Sequence, residues 1–471
     1  MIASVRILLS IVAASALFGC VLWIEAPGSR ARGDAKSAPF VRERGRYRLP
    51  GPRARDAELG PRVVRPDQAA APFFALAFHY NTVVYADPEQ SAKRFGIVRR
   101  GTSLAGVKPV SGAGCEHGWY KLAEGGFVCD RQGVAISDAR QSFWIRQPEP
   151  DLNRPLFYDY GRVIRPGALR FTRIPTEREE AALPRTQPPN LVQGALDGDV
   201  FLALDRLESA GKRRYYRTVR GRYVRARDVE PRPAPDMHGV VLRGDARLPW
   251  AFLDSEGEAP LYRERRGRFE KVGSAAAHGR FPLRTVRSRR GARYAVGPGE
   301  FAVPLARVRV ARAHARPTQI GAQEKWIHVD LTQQVLVAYE GDHAVFATLI
   351  SSGKEDALHA TPTGLFHIRD KHLSVTMSGD DSLDGLYEVG EVPWTQYYSR
   401  GYALHGAYWH DTFGKPRSHG CTNLAPADAR WLFYWTEPPL PDGLHARQRV
   451  RGTAVYLTRE AEAQQEPHGA G

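Results

Sequence analysis

Residues 404–423 read Leu404-His405-Gly406-Ala407-Tyr408-Trp409-His410-Asp411-Thr412-Phe413-Gly414-Lys415-Pro416-Arg417-Ser418-His419-Gly420-Cys421-Thr422-Asn423. Two histidines, His405 and His419, share this short segment with a cysteine, and Gly406, Gly414, Pro416 and Gly420 punctuate it. A thiol becomes a useful nucleophile as the thiolate, and a nearby imidazole is the usual agent of its ionisation. Cys421 is therefore the candidate nucleophile. His405, able to return across a strand pair to face it, is the first candidate base. His419 could be the base instead, hold a thiolate electrostatically, or shape the turn. Gly406 and Gly420 let backbone N–H groups approach a bound carbonyl, as an oxyanion site requires, with the Cys421 N–H as the principal donor. Ser418 and Asn423 are expected to support the loop or orient a histidine, and His410 and Asp411 to lie in a solvated loop.

The pattern His405-Gly406, then Gly414-x-Pro416-x-Ser418-His419-Gly420-Cys421-x-Asn423, resembles the active-site signature of the L,D-transpeptidases, the YkuD-type peptidoglycan cross-linking enzymes. The likeness runs from about Lys325 to Arg459. It takes in Trp326-Ile327-His328-Val329-Asp330-Leu331, Thr361-Pro362-Thr363-Gly364 and Ala425-Pro426-Ala427-Asp428-Ala429. The resemblance implies a cysteine nucleophile with a histidine base. The implied substrate is a tetrapeptide stem, cut before its terminal D-alanine and passed to the amine of a second stem as a 3→3 cross-link. Related enzymes use a protein lysine or water as acceptor, so a cysteine carboxypeptidase or amidase is the near alternative, and a non-catalytic wall-binding protein the distant one. No cofactor is implied. His405, His410, Asp411, His419 and Cys421 are zinc-ligand types, but Gly-x-Pro-x-Ser-His-Gly-Cys is better explained by nucleophilic chemistry, so no metal is expected.

The chain has 471 residues, 67 basic and 51 acidic, for a net charge of +16. Nucleic acid is the reflex reading of such a balance, but the distribution opposes it. Residues 324–459 hold 12 basic and 16 acidic side chains, so the remainder carries 55 against 35. The excess is arginine scattered among acids, which reads as a solvated surface or as an anchor for anionic envelope polymers or lipid head groups. With 42% hydrophobic and 10% aromatic residues the chain can build several cores. Its length suggests roughly three or four domains.

The four cysteines have no C-x-x-C spacing. Cys115 and Cys129 flank a hairpin-like segment and could form a disulfide, worth about 3 kcal/mol in the chain-entropy model. Cys20 belongs to residues 1–24, where Arg6 precedes an apolar run, an export signal or membrane anchor. Leu17-Phe18-Gly19-Cys20 resembles a lipoprotein signal box and makes Cys20 the lipidation candidate. Cleavage near Ala26, or an uncleaved anchor from Ile7 to Ile24, are the rivals. All three place the catalytic region outside the cytoplasmic membrane, in the periplasm or cell envelope.

Residues 25–72 should be a flexible linker and 460–471 a disordered tail. Between them the expected class is mainly β and multidomain. SH3-like barrel modules occupy 73–135, 136–235 and 236–318, and a β-rich catalytic domain with one or more short helices occupies 319–459. Gly118-Trp119-Tyr120-Lys121-Leu122 and Gly126-Phe127-Val128 carry the bacterial SH3-like resemblance. A weak repeat supports three modules: Tyr120, Gly125, Phe127; Tyr216, Gly221, Tyr223; Tyr294, Gly299, Phe301. A turn glycine between two strands that each bury an aromatic would generate it. Such modules would bind the wall or space the catalytic domain from the membrane. In the catalytic region Pro426–Trp435 reads as the clearest helix, with Ala429, Leu432 and Phe433 on one face. The long segment 374–400, with three glycines and Pro393, reads as a loop that the family resemblance makes a substrate lid.

Overall fold

A computed structural model describes residues 41–43, 46–49, 61, 71–142, 148–244, 246–381 and 385–459. The leader with Cys20, most of the expected linker and the 460–471 tail lie outside them. Among the described residues the fold is mainly β, with two α-helices, Glu177–Ala182 and Pro426–Trp435. No helix among them is long and apolar enough to cross a membrane.

Residues 73–137 form a small, nearly closed antiparallel set. Phe73–Ala77 pairs on one side with Ser103–Val110 and on the other with Val134–Ser137. Phe73-Phe74-Ala75-Leu76-Ala77 is a continuous apolar run buried on both faces, and the first strand of this set falls there. Ala75, Val84, Val98, Leu104, Val128 and Val134 fill the interior. Cys115 and Cys129 are joined by a disulfide. Residues 159–231 form a second set, in which Asp159–Val163 pairs with both Asp199–Ala210 and Val229–Pro231. Residues 250–311 form a third around Ala251, Leu261, Phe281, Val303 and Val310.

The three repeat glycines occupy matching places. Gly125, Gly221 and Gly299 have φ of +93°, +72° and +68°, each between two antiparallel strands. The left-handed conformation explains the residue type. Tyr120 faces Val128 and Tyr216 faces Val224, both eight residues on, whereas Tyr294 faces Pro304, ten residues on. A two-residue slip keeps side chains on the same face. Of the six aromatics only Phe301 is fully buried; the others are half-buried, so the repeat records a turn more than a core.

Val41–Glu43 and Arg46–Leu49 are strands, although they fall inside the expected linker. Arg46–Leu49 adds in parallel to Arg268–Ala275, and Leu49 is buried in the third core. A long-range pairing of this kind leaves no local sequence signal.

The catalytic region is two sheets around a helix. One sheet runs in the order Val240–Val241, His343–Leu349, Val335–Glu340, Lys325–Asp330, Ala454–Thr458, Gly364–His367. Its edge strand Val240–Val241 comes from the expected third module, so that boundary is shared. The other sheet contains Asp370–Asp381, Gly385–Ser399, Tyr402–Gly406 and Thr422–Leu424. Residues 374–400 are therefore mostly strand, not loop. A bulge between Val375 and Met377 and positive φ at Glu391 and Trp394 let the hairpin carry its glycines and Pro393. The helix Pro426–Trp435 packs between the sheets. Leu432 and Phe433 join the core with Ile327, Leu336 and Leu404, while Trp431 stacks on Phe346 at 4.3 Å. Almost its whole circumference is covered, more than one apolar stripe would need.

Candidate active site

Cys421 stands immediately before the strand Thr422–Leu424, which pairs in parallel with Tyr402–Gly406. Leu404 faces Thr422 and His405 faces Asn423. Continuing that register backwards sets Cys421 beside Ala403, whose backbone N–H hydrogen-bonds to the sulfur. Side chains alternate along a strand, so Cys421 and His405 project to the same face, two positions apart. The thiol is half-buried and donates to Gly401 O at 3.6 Å. Burial pushes it up to about 11, against a smaller opposing pull from the Ala403 N–H. It is a thiol, not a thiolate, at neutral pH and needs a base.

His405 is buried, and its ring stacks on Trp409 at 5.7 Å. Nδ1 lies 3.4 Å from Gly406 O. A carbonyl beside Nδ1 favours the proton there and leaves the Nε2 lone pair open. Burial holds the imidazole down at about 4, so it is neutral and able to accept a proton. Cys421 and His405 make no hydrogen bond with one another. Strand register, not a direct contact, relates them.

His419 lies between two rings. Tyr387 stacks on it at 4.9 Å with 10° between planes, and His359 meets it edge-on at 4.9 Å. His359 is itself held by Asp356, Nδ1 to Oδ2 at 2.8 Å. His419 thus belongs to an aromatic stack reaching from the hairpin to the 356–359 turn.

Ser418 ties the turn together. Its Oγ accepts from the Gly420 N–H at 3.1 Å and donates to the Cys421 carbonyl. The Gly420 N–H is therefore engaged by Ser418, and the shape of the backbone at Gly420 requires glycine. Its φ is +116°, and a Cβ there would fall 2.5 Å from the Tyr402 ring. Gly406 supplies the carbonyl under His405, with Pro393 and Ala429 packed where a side chain would begin.

Asn423 exchanges backbone hydrogen bonds with Ser351 and sets its carboxamide 2.8 Å from His410 Nε2. His410 is buried, contrary to the solvated loop expected for it, and Thr412 N–H donates to its Nδ1 at 3.2 Å. Trp-His-Asp-Thr is a locally polar run, and only the distant Asn423 amide reveals this role. Asp411 is exposed, 3.7 Å from the buried His278.

The upstream modules frame this site. Arg309 donates to Gly414 O at 2.8 Å, and Glu256 pairs with Lys415, so the third module grips the loop between His405 and Cys421. Asp199–Phe201 runs parallel to Tyr387–Val389, extending the hairpin that bears Tyr387. Glu391, buried in that hairpin, accepts from Tyr80 at 2.6 Å and Ser374 at 2.6 Å and pairs with Arg99 at 3.1 Å and Arg220 at 3.4 Å. Burial opposes its ionisation, but Arg99, His445 and these donors outweigh burial and hold the carboxyl at about 2. Among the described residues no group of three or more His, Cys, Asp or Glu side chains is disposed to hold a metal ion.

Residues 324–457 match the family model of the L,D-transpeptidase catalytic domain, YkuD. A candidate L,D-transpeptidase of Bacillus subtilis, YciB, is 25% identical over 120 residues, 23% of this chain and 59% of that protein. Among solved structures, Enterococcus faecium L,D-transpeptidase is 25% identical over 29% of this chain and 50% of that one, with a TM-score of 0.23. The catalytic domain of the E. faecium enzyme acylated by ertapenem is 25% identical over 30% of this chain and all of that one, at 0.24. The chain spans about half to three-fifths of the length of the first two relatives. Residues 324–457 are thus a YkuD-type L,D-transpeptidase catalytic domain, and the match does not extend to the upstream modules.

Proposed function

We propose that the protein is a peptidoglycan L,D-transpeptidase with Cys421 as nucleophile and His405 as base. The observation that carries this is the parallel register placing both side chains on one face within the matched domain. Cys421 Sγ attacks the carbonyl before the terminal D-alanine while its proton passes to His405 Nε2. The oxyanion is met by the Cys421 N–H. Collapse breaks the amide, His405 gives its proton to the departing D-alanine amine, and a thioester remains. The side-chain amine of a second stem then attacks, loses a proton to His405, and forms the 3→3 link as the thiol is restored. No cofactor takes part.

The hairpin 370–399 is the lid in this reading, with Tyr387 over His419. The three upstream units are SH3-like modules that brace the site, which argues against a role as mere spacers. The protein is exported to the cell envelope and held at the membrane through lipidated Cys20 or the leader itself. Its partners are donor and acceptor stems, not nucleic acid.

The test is incubation with disaccharide-tetrapeptide followed by mass spectrometry. A dimer lacking one D-alanine, absent with Cys421→Ala, supports the reading. Free tripeptide alone moves it to a carboxypeptidase. No Cys421 adduct with a carbapenem would indicate a wall-binding protein without activity.

A further inference from the structure

The third module carries two hairpins with the same unusual turn. Ala259–Arg265 and Arg268–Ala275 close through Arg265 and Arg268, leaving Arg266-Gly267 as a two-residue loop with φ of +48° and +74°. Thr285–Arg289 and Ala292–Val296 close through Arg289 and Ala292, leaving Arg290-Gly291 with φ of +49° and +80°. Loops of this geometry favour Asn-Gly or Asp-Gly, because the first residue must adopt the left-handed conformation. Arginine stands there twice, at a steric cost that local folding does not explain.

The two tips lie side by side. Glu264, next to the first loop, pairs with Arg289, next to the second, at 3.0 Å, and Phe269 packs on Tyr294 at 4.3 Å. Arg266, Arg268, Arg290 and Arg293 are exposed, and none of their guanidinium groups makes an ion pair or hydrogen bond among the described residues. A Cβ added at Gly267 or Gly291 would meet nothing within 4 Å, so both tips stand in open space. Residues 236–318 hold 17 basic and 8 acidic side chains.

We propose that these paired tips form a contact surface for anionic phospholipid headgroups. This rests on the membrane-held placement proposed above. Guanidinium forks match phosphate oxygens, and convex tips without a groove suit a plane better than a single chain. No exposed aromatic stands at either tip for a sugar to stack on. The chain itself supplies continuity: the first described strand, Val41–Glu43, begins 17 residues after Ile24 and belongs to this same sheet. A membrane-held leader would thus tether this sheet within about 60 Å of the bilayer, at about 3.5 Å per extended residue.

The experiment is flotation of the full chain with vesicles of phosphatidylcholine, with and without phosphatidylglycerol. The leader's own partition is common to both, so the phosphatidylglycerol-dependent increment is the readout. Wild type should show an increment that falls with added salt. R266N/R268Q/R290N/R293Q should lose at least about tenfold of it, each arginine counting for about fivefold. Asparagine suits the left-handed positions, so the variant's thermal midpoint should hold or rise while binding falls, a combination misfolding cannot produce. An increment retained by the variant, or absent from wild type, overturns the proposal. So does salt-sensitive binding to purified wall sacculi that the variant loses, without any phosphatidylglycerol increment. Dimer formation from soluble disaccharide-tetrapeptide should be equal in both proteins. Its absence from both would sink the transpeptidase reading and leave the vesicle result standing.

Discussion

His405 faces Asn423 across a parallel strand pair, and this register aims the imidazole along the face that also bears Cys421. Asn423 holds the second strand in place through Ser351 and sets its carboxamide beside His410. The proposed nucleophile and its proposed base are thus positioned by backbone pairing. Their relationship should survive side-chain changes elsewhere in the loop.

His405→Ala should slow acylation of Cys421 by a carbapenem about 10²- to 10⁴-fold, the usual range for a lost general base. His419→Ala should cost far less, because His419 belongs to the Tyr387–His359 stack. Time-resolved mass spectrometry of the adduct separates them. A larger loss in His419→Ala would transfer the base role to that ring.

Because burial holds His405 at about 4, the base stays unprotonated as pH falls from 7 to 5. Acylation should therefore keep its rate over that range and decline only near 4. Alkylation of Cys421 by iodoacetamide in His405→Ala should climb steadily to about pH 11, since burial has raised the thiol. An acid limb near 6.5 would show an imidazole exposed to water.

Stability should also fall in acid. Burial lowers His328, His410 and His445 to about 3 and His372 and His405 to about 4. In the unfolded chain such histidines titrate near about 6.5. Below that value the unfolded state binds more protons, so the histidines' contribution is complete above about 6.5 and is lost as pH falls towards 4. The thermal midpoint should drop across this window. A flat profile would mean these rings are accessible to water.

Glu391→Gln leaves Arg99 and Arg220 facing a neutral amide in a buried place. Removing one partner of a buried ion pair costs about 3–5 kcal/mol. Denaturant unfolding should show a loss of that order, and Tyr387 should loosen over the site, weakening carbapenem acylation as well. An unchanged unfolding midpoint would show that Tyr80 and Ser374 suffice to hold the hairpin.

Ser418→Ala removes the hydroxyl that joins the Gly420 N–H to the Cys421 carbonyl. Acylation should slow about tenfold or more as the sulfur loses its fixed position, with the global unfolding midpoint nearly unchanged. Gly420→Ala should be worse, because its Cβ meets Tyr402 and its φ is left-handed. Equal activity in all three proteins would show that the turn is held from elsewhere.

What the sequence disclosed was local. Pro426 opened the helix at the residue where it begins. The sulfur and its candidate bases were legible because they share twenty residues. What stayed hidden depends on distant partners. Arg46–Leu49 is a strand because Arg268–Ala275 offers an edge, and Val240–Val241 because His343–Leu349 does. His410 is buried because Asn423 reaches it. Residues 374–400 looked like a loop because their glycines are spaced as turn signals, whereas the segment is held straight by pairing with Asp370–Asp381 and Asp199–Phe201. The Gly420 N–H is taken by a neighbour whose hydroxyl direction no sequence pattern records.

The parallel seam between Asp199–Phe201 and Tyr387–Val389 limits how this molecule can be cut. Trimmed to the third of the chain that bears the signature, the protein would present a bare row of amide donors and acceptors along Tyr387–Val389, an invitation to self-association. The folded unit is accordingly larger than the motif, and a fragment chosen by motif alone would report on a different molecule.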